Sequence, residues 1–289
     1  MVRLRNKTSW GSGSSAVPGY TTWRDTKLAT AARSRAARDG GRLADFRAEE
    51  DAEMPALRSM PALSIDLVEL AQFGEKWLER DGSLSRSPPY SSGQLGSLFD
   101  KAVGDALAEL LGGVPVVTPT STALIPAQPD VVEVGPVRII GGVRPQNFDV
   151  GYRPDGVRFA FDSKTLNDRS SIGKNWQNMI NDLATEATTV HSRFPYAVVG
   201  FMVIYPKPAV TAAHLSATIG TLERLGGRTL VDEPEHRAEA VSLVIWEPDT
   251  GTIDSDIPPA GSPLRIECFS EHVENAYVAR YKGLLPHSD

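Results

Sequence analysis

With 289 residues, 41% of them hydrophobic and 23% charged, the chain is long and apolar enough for one large or two small globular domains, which excludes disorder along its whole length. The longest nearly unbroken apolar run, 196–205, is closed by Pro195 and Pro206 and is about half of what a bilayer-crossing helix needs. No apolar stretch follows the charged start, and the lone cysteine, Cys268, excludes an internal disulfide framework or a cysteine-rich zinc site, so no membrane partner and a cytoplasmic setting are expected.

The net charge of −6 is unevenly spread: residues 1–48 carry ten Lys or Arg against three Asp, so that segment is +7 and the rest is −13. A basic arm on an acidic body can grip a phosphate backbone locally; the same composition also describes a solvated, Ala/Arg-rich helix. Gly11 to Tyr20 is loop-like, and Thr22 to Arg38 would make a helix ending at Gly40-Gly41. From Asp66 to Glu79 the residues Leu67, Leu70, Ala71, Trp77 and Leu78 share a helical face behind an Asp66/Glu69 capping arrangement. Residues 81–93 gather turn formers without apolar period, which marks a linker. The expected division is therefore 1–92, a basic arm and helical region, and 93–289, a second domain.

After the linker, Leu95 to Leu111 form a helical stripe that stops at Gly112-Gly113. Val114 to Thr118 and Val131 to Ile140 read as strands, and Asn147 to Tyr152 with Val157 to Lys164 as a hairpin about Asp155-Gly156. A helix over Ser171 to Ser192 and a buried strand over Tyr196 to Tyr205 follow. Beyond them come a helix over Thr211 to Leu225, strands over Val241 to Trp246 and Leu264 to Cys268, and a closing helix over Glu271 to Tyr281. The expected class is α/β, with helices packed on a mixed sheet.

The chemistry concentrates in the hairpin. If Asp155-Gly156 is a two-residue turn, paired residues have numbers summing to 311, and Asp149 lies opposite Asp162. Opposed side chains have Cβ atoms roughly 5 Å apart, where two carboxylates repel unless a cation or proton sits between them. Lys164 falls on the Asp162 side of its strand, while Phe148, Val150, Tyr152, Phe159 and Phe161 are expected on the other face. Two acidic oxygens suit a hard cation such as Mg²⁺, which keeps waters and accepts phosphate oxygens. A lysine beside it can orient the attacking water or supplement the charge, the equipment of phosphodiester hydrolysis.

Asp149, twelve intervening residues, then Asp162-Ser163-Lys164 resembles the PD-(D/E)xK nuclease superfamily, which includes many type II restriction endonucleases. The likeness covers about 110 residues, 94 to 205, whose expected order, helix, three strands, helix, strand (αβββαβ), is that of the family's core. Phe148 stands where the family carries proline, and the literal Pro154-Asp155 reads as a decoy at the turn tip. The resemblance implies a Mg²⁺-dependent endodeoxyribonuclease, with Mn²⁺ able to substitute, in which Asp149, Asp162 and Lys164 are catalytic. It also implies an additional acid on the first core helix, for which Asp100 is the candidate metal ligand with Asp105 and Glu109 behind it. Lys174, Asn175, Gln177 and Asn178 on the following helix become candidate DNA contacts, and equally ordinary solubilising residues.

The expected partner is double-stranded DNA, cut by a homodimer whose two sites serve two strands. Gly173-Lys174 lacks the upstream glycine and following Ser/Thr of a phosphate loop, so no nucleotide cofactor is expected. The histidines show no i,i+4 pairing, and His191 reads as a helix-end cap. Two alternatives stand beside the restriction enzyme: a defence, repair or mobile-element nuclease of the same fold guided by a partner, and a catalytically idle DNA-binding module.

Overall fold

The computed structural model describes residues 56–170 and 172–287, which fall in a compact unit running Met54–Asp289. The basic arm, the loop over 11–20 and the helix expected over 22–38 lie outside the described residues, as does Ser171. Among the described residues five α-helices pack on a seven-stranded sheet.

Helix α1, Leu67–Glu79, starts where the Asp66 carboxylate accepts from the N–H groups of Val68 and Glu69 at 2.9 and 3.0 Å, satisfying donors that the first turn cannot. Helix α2, Ser92–Leu110, opens on a reciprocal capping box between Ser91 and Gln94 and ends before Gly112 and Gly113. Both glycines have φ of +90°, a conformation that L side chains resist. Strands β1 (Val116–Val117), β2 (Val132–Ile140), β3 (Pro145–Tyr152) and β4 (Phe159–Thr165) follow, then α3 (Ile172–His191), β5 (Val198–Pro206), α4 (Ala212–Leu225), β6 (Ala240–Glu247), β7 (Thr252–Ile253) and α5 (Ile266–Tyr281).

The strands lie side by side in chain order. β2–β3–β4 and β6–β7 pair antiparallel, whereas β1–β2 and β4–β5–β6 pair parallel, giving the mixed sheet. β5 is buried at every residue, as a continuous apolar run between parallel neighbours requires. One sheet face carries Val150, Tyr152, Phe159 and Phe161 beneath α1, α2 and α5; the other carries Ala160, Phe201 and Val203 beneath α3 and α4. Phe148 packs in the second cluster with Val137 and Ile139, not with Val150 and Tyr152 as expected.

The packing bears on one further expectation, and the strand pattern corrects two. The expected division at residue 92 does not coincide with a break in packing: Leu70, Phe73 and Trp77 of α1 share one core with Leu95 and Phe99 of α2, and the fully buried Trp77 indole donates to the Asn167 carbonyl at 2.6 Å. The hairpin keeps the expected register, with Val150 opposite Phe161, Gly151 opposite Ala160 and Tyr152 opposite Phe159, but residues 153–158 all belong to its connection. Pro154 has no N–H for the ladder pair that a two-residue turn at 155–156 would need, so the ladder stops earlier. Arg158 then closes the loop: its N–H donates to the Tyr152 carbonyl at 3.0 Å and its guanidinium to the Asp155 carboxylate at 2.9 and 2.6 Å. Finally, Leu264 to Cys268 is not a strand, because α5 already begins at Ile266. Leu264 touches β6 through its carbonyl, which accepts from the Leu243 N–H at 2.9 Å and the Ser242 hydroxyl at 3.0 Å, while β7 pairs with Trp246 and Glu247 at the end of that strand.

Candidate functional site

β3 and β4 pair over three residues each and then part. Before Val150, β3 runs on beside β2 from Pro145; beyond Phe161, β4 runs on beside β5 to Thr165. Asp149 and Asp162 stand where the strands diverge. There the Asp149 carboxylate replaces the missing ladder partner: its Oδ2 accepts from the Ser163 N–H at 2.9 Å and from the Ser163 hydroxyl at 3.4 Å. The two carboxyl groups also come within hydrogen-bonding reach of each other.

Lys164, two residues on, donates to the Asp162 carboxylate and, at 2.9 Å, to Oε1 of Glu186 on α3. From the other sheet face α2 brings Asp100, only 6% exposed, with its Oδ1 unpartnered. α2 comes this close because residue 96 is glycine: a Cβ there would sit 2.9 Å from the Ser163 hydroxyl. Thr165 pins the start of the helix, its hydroxyl donating to the Ser92 carbonyl at 3.2 Å.

Crowding and burial set the charge of these groups. Burial, then the Asp162 charge and the shared hydrogen bond, push Asp149 up to about 8, against the Ser163 N–H and Lys164. Burial likewise pushes Asp162 up to about 6, with Lys164 opposing. Asp100 is raised well above the carboxylate range by burial and by Asp149. Lys164 is raised as well, which for an amine preserves its charge: although burial favours its neutral form, Asp162 and Glu186 hold it firmly as ammonium. The site is thus an excess of carboxyl groups, part of them holding protons, around one cation.

Asn175 and Asn178 of α3 line an open groove of about 460 Å³ together with Ser163, Lys164 and Asp182. Lys174 and Gln177 are exposed on the same helix and do not line it. Asp105 is engaged by Lys101 at 2.6 Å, and Glu109 lies 3.9 Å from Arg58, both on the outer side of α2, so Asp100 alone of the three approaches the pair. Asp155 is bound to Arg158 beyond the other end of the paired segment. His191 does end α3, but its ring is buried, with Nδ1 at 2.9 Å from the Glu235 carbonyl and Nε2 at 3.2 Å from Glu239.

Glu186 is the member that sequence reasoning missed. Its signal is present: it lies seven residues after Met179 and four before Val190, a lone acid on an apolar helical stripe. Among the described residues no three His, Cys, Asp or Glu side chains converge into a ready-made metal cage.

Comparison with family models, with curated proteins and with solved structures gives no match. The fold and the site define a mixed α/β protein carrying a buried carboxylate pair and a lysine where two strands part; no helix among the described residues is long and apolar enough to cross a membrane.

Proposed function

We propose that the protein is a metal-dependent endodeoxyribonuclease with a PD-(D/E)xK-like, restriction-endonuclease-type core, acting on double-stranded DNA and most simply as a type II restriction enzyme working as a homodimer. The observation that carries this reading is the pair Asp149 and Asp162 at the parting of β3 and β4, with Lys164 bound to the second member. Buried carboxyl groups that outnumber the one ammonium among them, so that Asp149 is pushed toward its protonated form, are the donor set a divalent ion neutralises, and the unpartnered Asp100 oxygen beside them fits the same need. Asp149 and Asp162 would hold Mg²⁺ or Mn²⁺ with Asp100 beside them, water and phosphate oxygens completing the shell. The ion, when bound, supplies an activated water and neutralises charge developing on the phosphate.

The chain's own residues do the rest. Asp149 is oriented by the Ser163 N–H, so the strand backbone fixes one ligand. Lys164 reaches the groove as an ammonium, where it orients the nucleophile or meets a phosphate oxygen. Asn175 and Asn178, neutral amides on the opposite wall, are suited to the phosphate and sugar contacts that set register without reading sequence.

The test is incubation of purified protein with plasmid and linear DNA in Mg²⁺, Mn²⁺ or chelator. Cleavage confined to the metal-containing samples, and abolished by Asp149→Ala and by Asp162→Ala in folded protein, is expected. Activity in chelator, or wild-type activity in either variant, would overturn the assignment.

A further inference from the structure

From the contacts around Lys164 we infer that Glu186 is a positioning residue for that lysine, holding the ammonium in the groove when Asp162 is otherwise engaged. This inference rests on the nuclease reading for its consequence, but its physical content is geometric. An ammonium has three donors. One goes to Asp162 and one, at 2.9 Å, to Glu186, which leaves one for a group in the groove that Lys164 lines. Asp162 cannot serve as the lasting anchor, because its carboxylate is the one that a cation would claim. Glu186 belongs to a different element, comes from across the β4–α3 junction, and is 4% exposed with Oε2 unpartnered, so among the described residues Lys164 is the cation that accounts for an acidic side chain at that depth. Its stripe neighbours Leu183 and Val190 are fully buried and fix the helix face that aims it. The groups facing Lys164 are thus Asp162 on its own strand, Asp149 on β3, Asp100 on α2, and Glu186 and Asp182 on the packed helix. Of the two helix acids, Glu186 makes the contact.

The inference predicts two effects of Glu186→Gln, which keeps size and an acceptor but removes the charge. Labelling of the folded, metal-free protein with an amine-reactive acetylating reagent, read by mass spectrometry, should modify Lys164 several-fold faster than in wild type. In the cleavage assay kcat should fall about tenfold to a hundredfold, the range typical of residues that orient a functional group, with KM for DNA unchanged. Glu186→Asp, which keeps the charge but withdraws it by one methylene, should lie between the two in both measurements and serves if the amide variant fails to fold. Unchanged labelling overturns the inference. So does faster labelling with kcat unchanged, or a rise in KM alone, which would make Glu186 a substrate contact. Wild-type protein that cuts no DNA under any metal condition defeats the nuclease reading and leaves the labelling result to decide whether Glu186 positions the lysine.

Discussion

Asp149 and Asp155 are both aspartates of one hairpin, yet they face different tasks because the strand register separates them. Asp155 takes two hydrogen bonds from Arg158, whose side chain is buried, whereas Asp149 meets Asp162 and the Ser163 N–H. Asp155→Asn should therefore retain near-normal cleavage while losing roughly 1–3 kcal/mol of stability through the weakened hold on Arg158, measurable by urea denaturation. Folded Asp155→Asn protein that cuts no DNA would make Asp155 the ligand in place of Asp149. Lys164→Ala should lower kcat by about 10² to 10⁴ with DNA affinity nearly unchanged, and a loss confined to affinity would reassign the lysine to phosphate anchoring. At this scale Asp149, Asp162 and Lys164 were legible because a period of two and a fixed register are arithmetic on residue numbers. Glu186 was not, since its partner lies across a strand–helix junction that no spacing rule reaches.

Elements were legible where one period dominates. The stripe from Leu95 to Leu111 is α2 but for its first turn, and the apolar block at 196–205 is the interior strand β5. Failures came where local signals were outvoted: the Asp-Gly pair by the missing N–H of Pro154, and the apolar residues at 264–268 by a helix that starts earlier than its amphipathic pattern suggested. The turn-rich stretch before α2 looked like a domain linker because composition reports solvent exposure and says nothing about what the flanking helices bury. α1 buries Trp77 completely in the common core. Trp77→Ala should cost about 3–5 kcal/mol and lower the single unfolding transition of residues 56–287 as a whole. Two separate transitions, with only the smaller one shifted, would restore the division at residue 92.

For the whole molecule the site carries a linkage with a definite sign. Asp149 has an ordinary value of 3.8 and is raised to about 8 in the fold, so between these values the folded state holds a proton that the unfolded chain has released. Stability from this group is therefore greatest below about pH 4 and declines as pH rises toward 8. Asp162, raised to about 6, adds a loss over the lower part of that window. Asp254 runs the other way: despite burial, Lys207 and its other partners hold it low. The informative quantity is thus the difference in Tm between wild type and Asp149→Asn measured by calorimetry. Metal-free wild type should lose several degrees relative to the variant from pH 4 to 8, and saturating Mg²⁺ should abolish most of that loss. A difference that stays flat across the window would show that Asp149 is ionised throughout.

The contact between Trp77 and Asn167 has a mechanical consequence. Asn167 belongs to the short connection that joins β4, with Asp162 and Lys164, to α3, with Asn175, Asn178 and Glu186. α1 and the turn after it grip that connection twice more: the Arg169 N–H donates to the Gly82 carbonyl at 2.9 Å, and the Arg169 guanidinium lies 5.1 Å over the Trp77 ring. The joint between the two walls of the groove is thereby stiffened from outside, so the walls resist opening like a jaw. On the nuclease reading proposed above, a duplex seated there would have to supply the deformation itself, and sequences with easily unstacked pyrimidine–purine steps should be cut faster than stiff A-tracts carrying the same contacts; equal rates would show that the walls yield instead.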